Sequence, residues 1–355
     1  MNIERLSIRH FRNLTSLDLT LSPHFNLLFG QNGAGKTSII EAIHYLGLNK
    51  SFRSHLNNRI IQHGQEQFTL FAQSSTHKIG IERASKSVRL RLNEETLSSV
   101  APIVKALPLL VIHAHTYELL ESGPENRRQF LDWGVFHVEH GFFPVWKRYM
   151  TALSQRNRAL REQRNALEVT AWNKELIEAA KMIDQSRKGY LTSFLTHFLP
   201  LLHTLLPIEH LELTYYQGWG REKSYADVLS GSYNQDCALG YTQFGPHRAD
   251  LRISIDKIPA KDVLSRGQLK LFVTSMRLAQ AELMKNELSV SPLLLIDDLP
   301  SELDENKRTL LCSILKALKS QIFITCVDKN LVFPLIQQHS HKVFHVEQGG
   351  LRDES

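Results

Sequence analysis

Apolar and polar positions alternate like strands at Ile3, Leu6 and Ile8, with period two from Leu6 to Ile8 and again at Leu17, Leu19 and Leu21, and a mostly apolar run fills Phe25–Phe29. The alternation predicts half-buried strands and the run a fully buried one. Residues 38–46 then carry apolar side chains at helical spacing. Short strand patterns return at 68–72, 78–83 and 88–92, at hairpin distances that predict an antiparallel meander beside a main sheet. Residues 107–112 read as another buried strand. At Gly123-Pro124-Glu125 a helix start appears, with proline tolerated in the first turn and the acid at the positive end of the dipole.

From there to Leu206 the pattern is helical, with interruptions expected at 141–144 and at Pro200. Tyr149, Leu153, Leu160 and Leu167 recur at helix-compatible intervals without sustained heptads. Two antiparallel helices with a bend near 167–172 would therefore form a packed lobe rather than a long coiled coil. Strands and turns resume over 207–260, a helix is expected at 269–285, and buried strands at 293–296 and 322–325. The predicted fold is α/β: a mixed sheet with flanking helices, an antiparallel β meander, and an inserted helical lobe. The expected divisions are 1–122, carrying the phosphate loop and meander; 123–206, the helical insertion; and 207–355, the remainder of the head.

The chemistry begins where the first buried strand meets the first helix. Gly30-Gln31-Asn32-Gly33-Ala34-Gly35-Lys36-Thr37, followed by Ser38, satisfies Gly-x4-Gly-Lys-[Ser/Thr] between a strand and a helix. Small residues let backbone N–H groups turn inward, and the helix N-terminus adds partial positive charge, so the loop can surround a phosphate. Lys36 would reach the β- and γ-phosphates and the Thr37 hydroxyl would hold Mg²⁺. The strand at 293–296 ends in Asp297 and Asp298. Asp297 is expected on the Mg²⁺ side and Asp298 to orient an attacking water. Arg12, in a turn between strands, can grip phosphate or ribose if those strands lie side by side. Ser265 reads as the N-cap of the 269–285 helix. A phosphate loop alone leaves a transporter motor, a kinase, a GTPase and a DNA-repair ATPase all open.

Lys and Arg exceed Asp and Glu by six among 355 residues, a mild excess compatible with nucleic acid or an acidic membrane surface. The three cysteines, Cys237, Cys312 and Cys326, form no Cys-x-x-Cys pair, so neither a disulfide framework nor a zinc site is indicated. The 17 histidines show no metal-ligand spacing. No signal-peptide core and no run of about 18 apolar residues appears, so a cytoplasmic chain is expected.

Phosphate loop, Leu264-Ser265-Arg266-Gly267-Gln268, paired acids and Ser301-Glu302-Leu303-Asp304, in this order, resemble the ATP-binding-cassette ATPases. Phe11-Arg12-Asn13, Glu41-Ala42-Ile43, Ser51-Phe52-Arg53, Arg127-Arg128-x-Phe130-Leu131-Asp132, Gln155-Arg156-Asn157 and Gly245-Pro246-His247-Arg248 narrow the resemblance, over nearly the whole chain, to the bacterial RecF family. That resemblance implies a cassette head with a helical lobe, related to chromosome-maintenance (SMC) ATPases. It implies binding of ATP with Mg²⁺ by Arg12 and residues 30–38. Ser265, Gly267 and Gln268 would close over the nucleotide of a second copy, with Ser301 and Asp304 at the dimer seam. The family role is in DNA replication, DNA damage repair and the SOS response. There an ATP-dependent homodimer on double-stranded DNA near single-stranded gaps helps RecA load, together with RecO and RecR. A weak DNA-stimulated hydrolysis resets it. The alternative is a cassette motor of a transporter.

The chain departs from the pattern at four places. Cys326-Val327-Asp328 follows the last buried strand where cassette ATPases carry histidine, leaving Thr325 and Asp328 as candidate γ-phosphate sensors. Asp298 stands where glutamate is usual, which implies slow turnover. No glutamine lies in 111–115, and Ala249 replaces an expected aspartate.

Overall fold

The computed structural model describes residues 2–54, 56 and 59–352, with Leu299 and Ser301 described by backbone alone. The first three strands, β1 (Arg5–Phe11), β2 (Leu14–Thr20) and β3 (Phe25–Phe29), part company. β1 and β2 join β4 (Gln67–Gln73), β5 (Lys78–Ala84), β6 (Val88–Leu92) and β7 (Glu95–Leu97) in a six-stranded antiparallel sheet of order β2-β1-β4-β5-β6-β7. The expected meander is thus present and larger than its own sequence stretch, because β1 lies between β2 and β4. Its inner face, with Leu6, Ile8, Phe68, Leu70, Ile79 and Ile81, is buried in one core with the helix Lys36–Leu48.

β3 is buried at every position, as its mostly apolar run predicts. Around it are β8 (Leu109–Ile112) and, after β9 (Leu211–Tyr216), β10 (Asp250–Ile255) and β11 (Ile258–Pro259) elsewhere in the chain, β12 (Leu293–Ile296), β13 (Ile322–Cys326), β14 (His341–Glu347) and β15 (Gly350–Arg352). The second sheet has the order β15-β14-β3-β13-β12-β8, parallel from β14 to β8 with β15 antiparallel at the edge. Register aligns Ile296 with Ile324 and Cys326 with Phe29, so the carboxyl ends of β3, β13 and β12 share one edge. Ligands of open α/β sheets bind there.

By contacts the chain forms two compact units, residues 1–116 with 281–355, and residues 117–280. Residues 207–280, expected with the head, therefore share a unit with the helical lobe. The reason is long-range pairing: β10 and β9 form a sheet with β11, and Asp250 on β10 takes Arg127 of the helix Pro124–Val138. Within that unit the helices Phe142–Arg161 and Asn173–Leu205 pack together as the expected hairpin. The chain breaks at Gly141 as expected, but the second helix runs through Pro200. Proline in a helix costs about 3 kcal/mol. Phe194, Phe198, Leu202 and Leu205, buried on both sides of it, each return about 1.5–3 kcal/mol and outweigh that cost. Among the described residues no helix is long and apolar enough to cross a membrane.

Candidate nucleotide site

Gly30 leaves the end of β3 at φ 146°, and a Cβ there would stand 2.2 Å from the Val346 carbonyl oxygen of β14. Only glycine fits, so the loop turns inward against the C-terminal hairpin, where Gly349 N–H also donates to the Ala34 carbonyl at 2.8 Å. Lys36 opens the helix and is almost wholly buried. Its ammonium donates to the carbonyls of Gly30 at 2.6 Å and Gln31 at 2.9 Å. Burial holds its pKa below the ordinary lysine value, with Asp298, Cys326 and Asp297 opposing that shift.

The paired acids arrive from β12. Thr37 Oγ1 donates to Asp297 Oδ1 at 2.9 Å, and Thr325 Oγ1, on β13, donates to the same oxygen at 2.8 Å. The Asp298 N–H donates in turn to Thr325 Oγ1 at 2.8 Å. One chain of hydrogen bonds thereby joins phosphate loop, β13 and paired acids. Burial pushes the Asp297 carboxyl above the usual aspartate value, its two threonine bonds pull it down, and Asp298 adds repulsion. Two adjacent carboxylates beside a hydroxyl form an oxygen donor set whose charge a divalent cation offsets. Among the described residues there is no cluster of three or more His, Cys, Asp or Glu that would hold a metal without a ligand's help. Asp298 itself adopts φ 57°, which turns it toward the cleft that it lines with Thr325. Cys326 is a buried thiol pushed up to about 12 by desolvation.

The cleft of about 570 Å³ is lined by Asn13, Asn32, Gly33, Gly35, Lys36, Thr37 and Ser38 on the loop side. Ser38 Oγ donates to Asn13 Oδ1 at 2.7 Å, tying the β1–β2 turn to the helix. Arg12 lines the mouth, but its guanidinium is engaged: Nε and Nη2 grip the fully buried Glu41 at 3.1 and 2.6 Å, and Nη1 reaches the Arg59 carbonyl at 2.7 Å. Arg53 stands 3.5 Å from the same carboxylate and is about half exposed. Sequence reasoning assigned no role to Glu41, Arg53, Arg59, Ile61 or His63, although the last four line the cleft. The signal was available only in part, since Ile61 is placed by a bridge to Phe11 that no local pattern announces.

The other expected residues lie outside this cleft. Ser265 and Gln268 form a reciprocal capping box, Ser265 N–H donating to Gln268 Oε1 at 2.9 Å and Gln268 N–H to Ser265 Oγ at 3.4 Å; both, with Gly267, are exposed. Asp304 caps the helix Glu305–Leu318 by accepting from Lys307 N–H at 2.8 Å. The side chain of Ser301 falls outside the described residues. Asp328 accepts from Asn330 N–H in a local turn, whereas Thr325 sits in the cleft, so of the two candidate sensors only Thr325 is placed there. Where a glutamine was sought, His113 follows β8 and stacks on Phe52 at 4.9 Å.

A mixed sheet with a phosphate loop at its carboxyl edge, paired acids two strands away and a signature-capped helix define a P-loop ATPase head of the cassette type. The family described as RecF/RecN/SMC N terminal domain matches residues 2–351. The chain is 39% identical to the DNA replication and repair protein RecF of Shewanella loihica, over 98% of both chains, and 43% identical to that of Stutzerimonas stutzeri, over 98% of this chain and 96% of the relative. A solved structure described as the recombination mediator protein RecF-ATP in the RecFOR pathway superposes with a TM-score of 0.87 at 25% identity, covering 100% of this chain and 98% of the other. An Smc head domain from Pyrococcus furiosus shares the fold at a TM-score of 0.59 and 14% identity, over 99% and 95% of the two chains. The chain belongs to the RecF family of DNA replication and repair proteins.

Proposed function

We propose that this chain is an ATP-dependent, DNA-binding recombination mediator whose nucleotide closes two copies into a dimer. The observation that carries the reading is the hydrogen-bond chain Thr37–Asp297–Thr325–Asp298, which couples the phosphate loop to the acids that would act on the γ-phosphate. Lys36, drawn from its two loop carbonyls, would neutralise β- and γ-oxygens, while backbone N–H groups of residues 33–38 receive the remaining charge. Thr37 and Asp297 would hold Mg²⁺, which supplies Lewis-acid stabilisation of the transferred phosphoryl group. Asp298 would orient the attacking water, and its short side chain fits slow turnover. Ile61 and His63, which line the cleft, suit a base, and Arg12 with Arg53 the adjoining phosphate or ribose. The likeness to RecF-ATP supports ATP as the nucleotide.

In this reading Ser265, Gly267 and Gln268 of one copy meet the γ-phosphate held by the other, with Ser301 and Asp304 along the seam. The exposure of Ser265, Gly267, Gln268 and Asp304 is consistent with a partner copy as their ligand. The closed dimer would hold duplex DNA near single-stranded gaps and act with RecO and RecR to help RecA load, a weak DNA-stimulated hydrolysis resetting it. Duplex contacts would be mainly to phosphates and hence steeply salt-dependent. The test is Ser265→Arg, assayed by sedimentation and phosphate release. Nucleotide binding should survive at wild-type affinity, while ATP-dependent dimerisation and hydrolysis disappear. Hydrolysis by a monomeric variant would end the dimer mechanism.

A further inference from the structure

The arginines at 127–128 and the Gly-Pro-His-Arg at 245–248 play no part in the nucleotide chemistry, yet folding brings them together. Two of the four guanidinia in this cluster are neutralised. Arg127 grips Asp250 through Nε and Nη2 at 2.8 and 3.2 Å, and the fully buried Arg187 grips Asp132 at 2.8 and 3.0 Å while donating to the Pro246 carbonyl at 2.9 Å. The other two are not. Half-buried Arg128 donates from Nη1 to the Ala249 carbonyl at 2.8 Å, and exposed Arg248 lies over the Tyr241 ring at 5.5 Å. Neither has a carboxylate at ion-pair distance among the described residues. Arg128 thus reaches the residue next to Arg248, and Asp250, Glu125 and Asp132 act on Arg128 only from beyond ion-pair distance.

The turn that presents them is rigid. A Cβ on Gly245, at φ 136°, would lie 2.3 Å from the Tyr149 hydroxyl and 2.5 Å from that of Tyr225. His247 Nε2 lies 3.0 Å from the Thr242 carbonyl, which only accepts, so Nε2 carries the proton and Nδ1 accepts from the Tyr149 hydroxyl at 2.7 Å. Tyr225 donates to the Phe244 carbonyl at 3.0 Å. Burial and the surrounding arginines hold His247 neutral, with a pKa of about 4. Arg128 is itself held below the ordinary arginine value by burial and by repulsion from Arg187. A guanidinium in that state gains most from a bidentate anion.

We propose that Arg128 and Arg248 form a phosphodiester subsite that receives backbone phosphates of duplex DNA on the rigid 245–248 turn. The pair offers two guanidinia, one of them over the Tyr241 ring, and guanidinium contacts to phosphate carry no sequence information, so it would bind sequence-independently. This inference rests on the DNA-binding reading above.

The test uses the full chain with ATP and a fluorescently labelled duplex, its affinity measured by anisotropy across a series of salt concentrations. Wild type, Arg248→Gln, Arg248→Lys and Arg128→Gln/Arg248→Gln are compared. Each lost phosphate contact should flatten the plot of log affinity against log salt by about 0.9, so the double variant should lose about 1.8 and Arg248→Gln about half of that. Arg248→Lys should keep the wild-type slope, and binding of a fluorescent ATP analogue should be unchanged in all four. A double variant with the wild-type slope, whether or not its affinity falls, would overturn the proposal. So would polyglutamate displacing the wild-type chain as effectively as duplex, because the subsite would then be one for carboxylates. Wild type that binds no duplex at any salt would instead refute the DNA-binding reading from which this one starts.

Discussion

The phosphate loop at 30–37 and the turn at 245–248 both begin at a glycine that no other residue could replace, yet they are held in opposite ways. The loop is shaped by its own backbone: Gly30 fits under the Val346 carbonyl, and Lys36 folds onto the carbonyls of Gly30 and Gln31. The turn is shaped by side chains delivered from afar, Tyr149, Arg187 and Tyr225, with Asp132 orienting Arg187. A motif that binds through its backbone needs only local spacing. One that presents arginines needs an assembled scaffold behind it.

The sharpest way to break the comparison is to strike the scaffold. Arg187→Met leaves Asp132 without its partner and should cost about 3–5 kcal/mol, read as a lower urea midpoint. Arg187→Met/Asp132→Leu should recover much of the loss. The corresponding blow to the loop, Lys36→Met, should leave the unfolding free energy in urea within about 0.5 kcal/mol of wild type while lowering ATP hydrolysis at least about 100-fold, equivalent to about 2.7 kcal/mol of transition-state stabilisation. If both substitutions unfold the chain, or neither does, the contrast fails.

The smallest effect concerns pH. His247 has a folded pKa of about 4 against an ordinary value of 6.5. The unfolded chain therefore binds a proton that the folded chain refuses. The stability from keeping this imidazole neutral is complete above pH 6.5 and is lost as pH falls toward 4, at no more than about 1.4 kcal/mol per pH unit. His137, also lowered to about 4 by burial, adds a second term of the same sign. Melting temperatures between pH 7 and pH 4.5 should fall less steeply for His247→Gln than for wild type. A parallel pair of curves would show that the turn carries no such linkage.

The parts legible in the sequence were those with local causes. Gly-x4-Gly-Lys-Thr between a strand and a helix, the acids ending β12, and Ser265 as an N-cap all follow from spacing, and the structure places the first two in one cleft. What escaped depends on pairing across the chain. Alternation at Leu6, Ile8, Leu17 and Leu19 announces strands without saying that they join β4 rather than β3. Glu41, quoted only within the family motif Glu41-Ala42-Ile43, gains no role from spacing, because nothing nearby reveals that Arg12 folds across it and buries it. The same fact redirects Arg12: its guanidinium lines the cleft while paired with Glu41. Pro200 reads as a break on local propensity, which takes no account of Phe194 and Phe198 buried before it and Leu202 and Leu205 buried after it.

The contact between Gly30 and Val346 also sets an order of events during synthesis. The phosphate loop emerges early, but the strands that flank β3, β13 and β14, come from the far end of the chain, as does the carbonyl against which the loop closes. A nascent chain therefore carries the loop's residues long before it carries the loop's shape, and becomes able to hold a nucleotide only as its last strands are made.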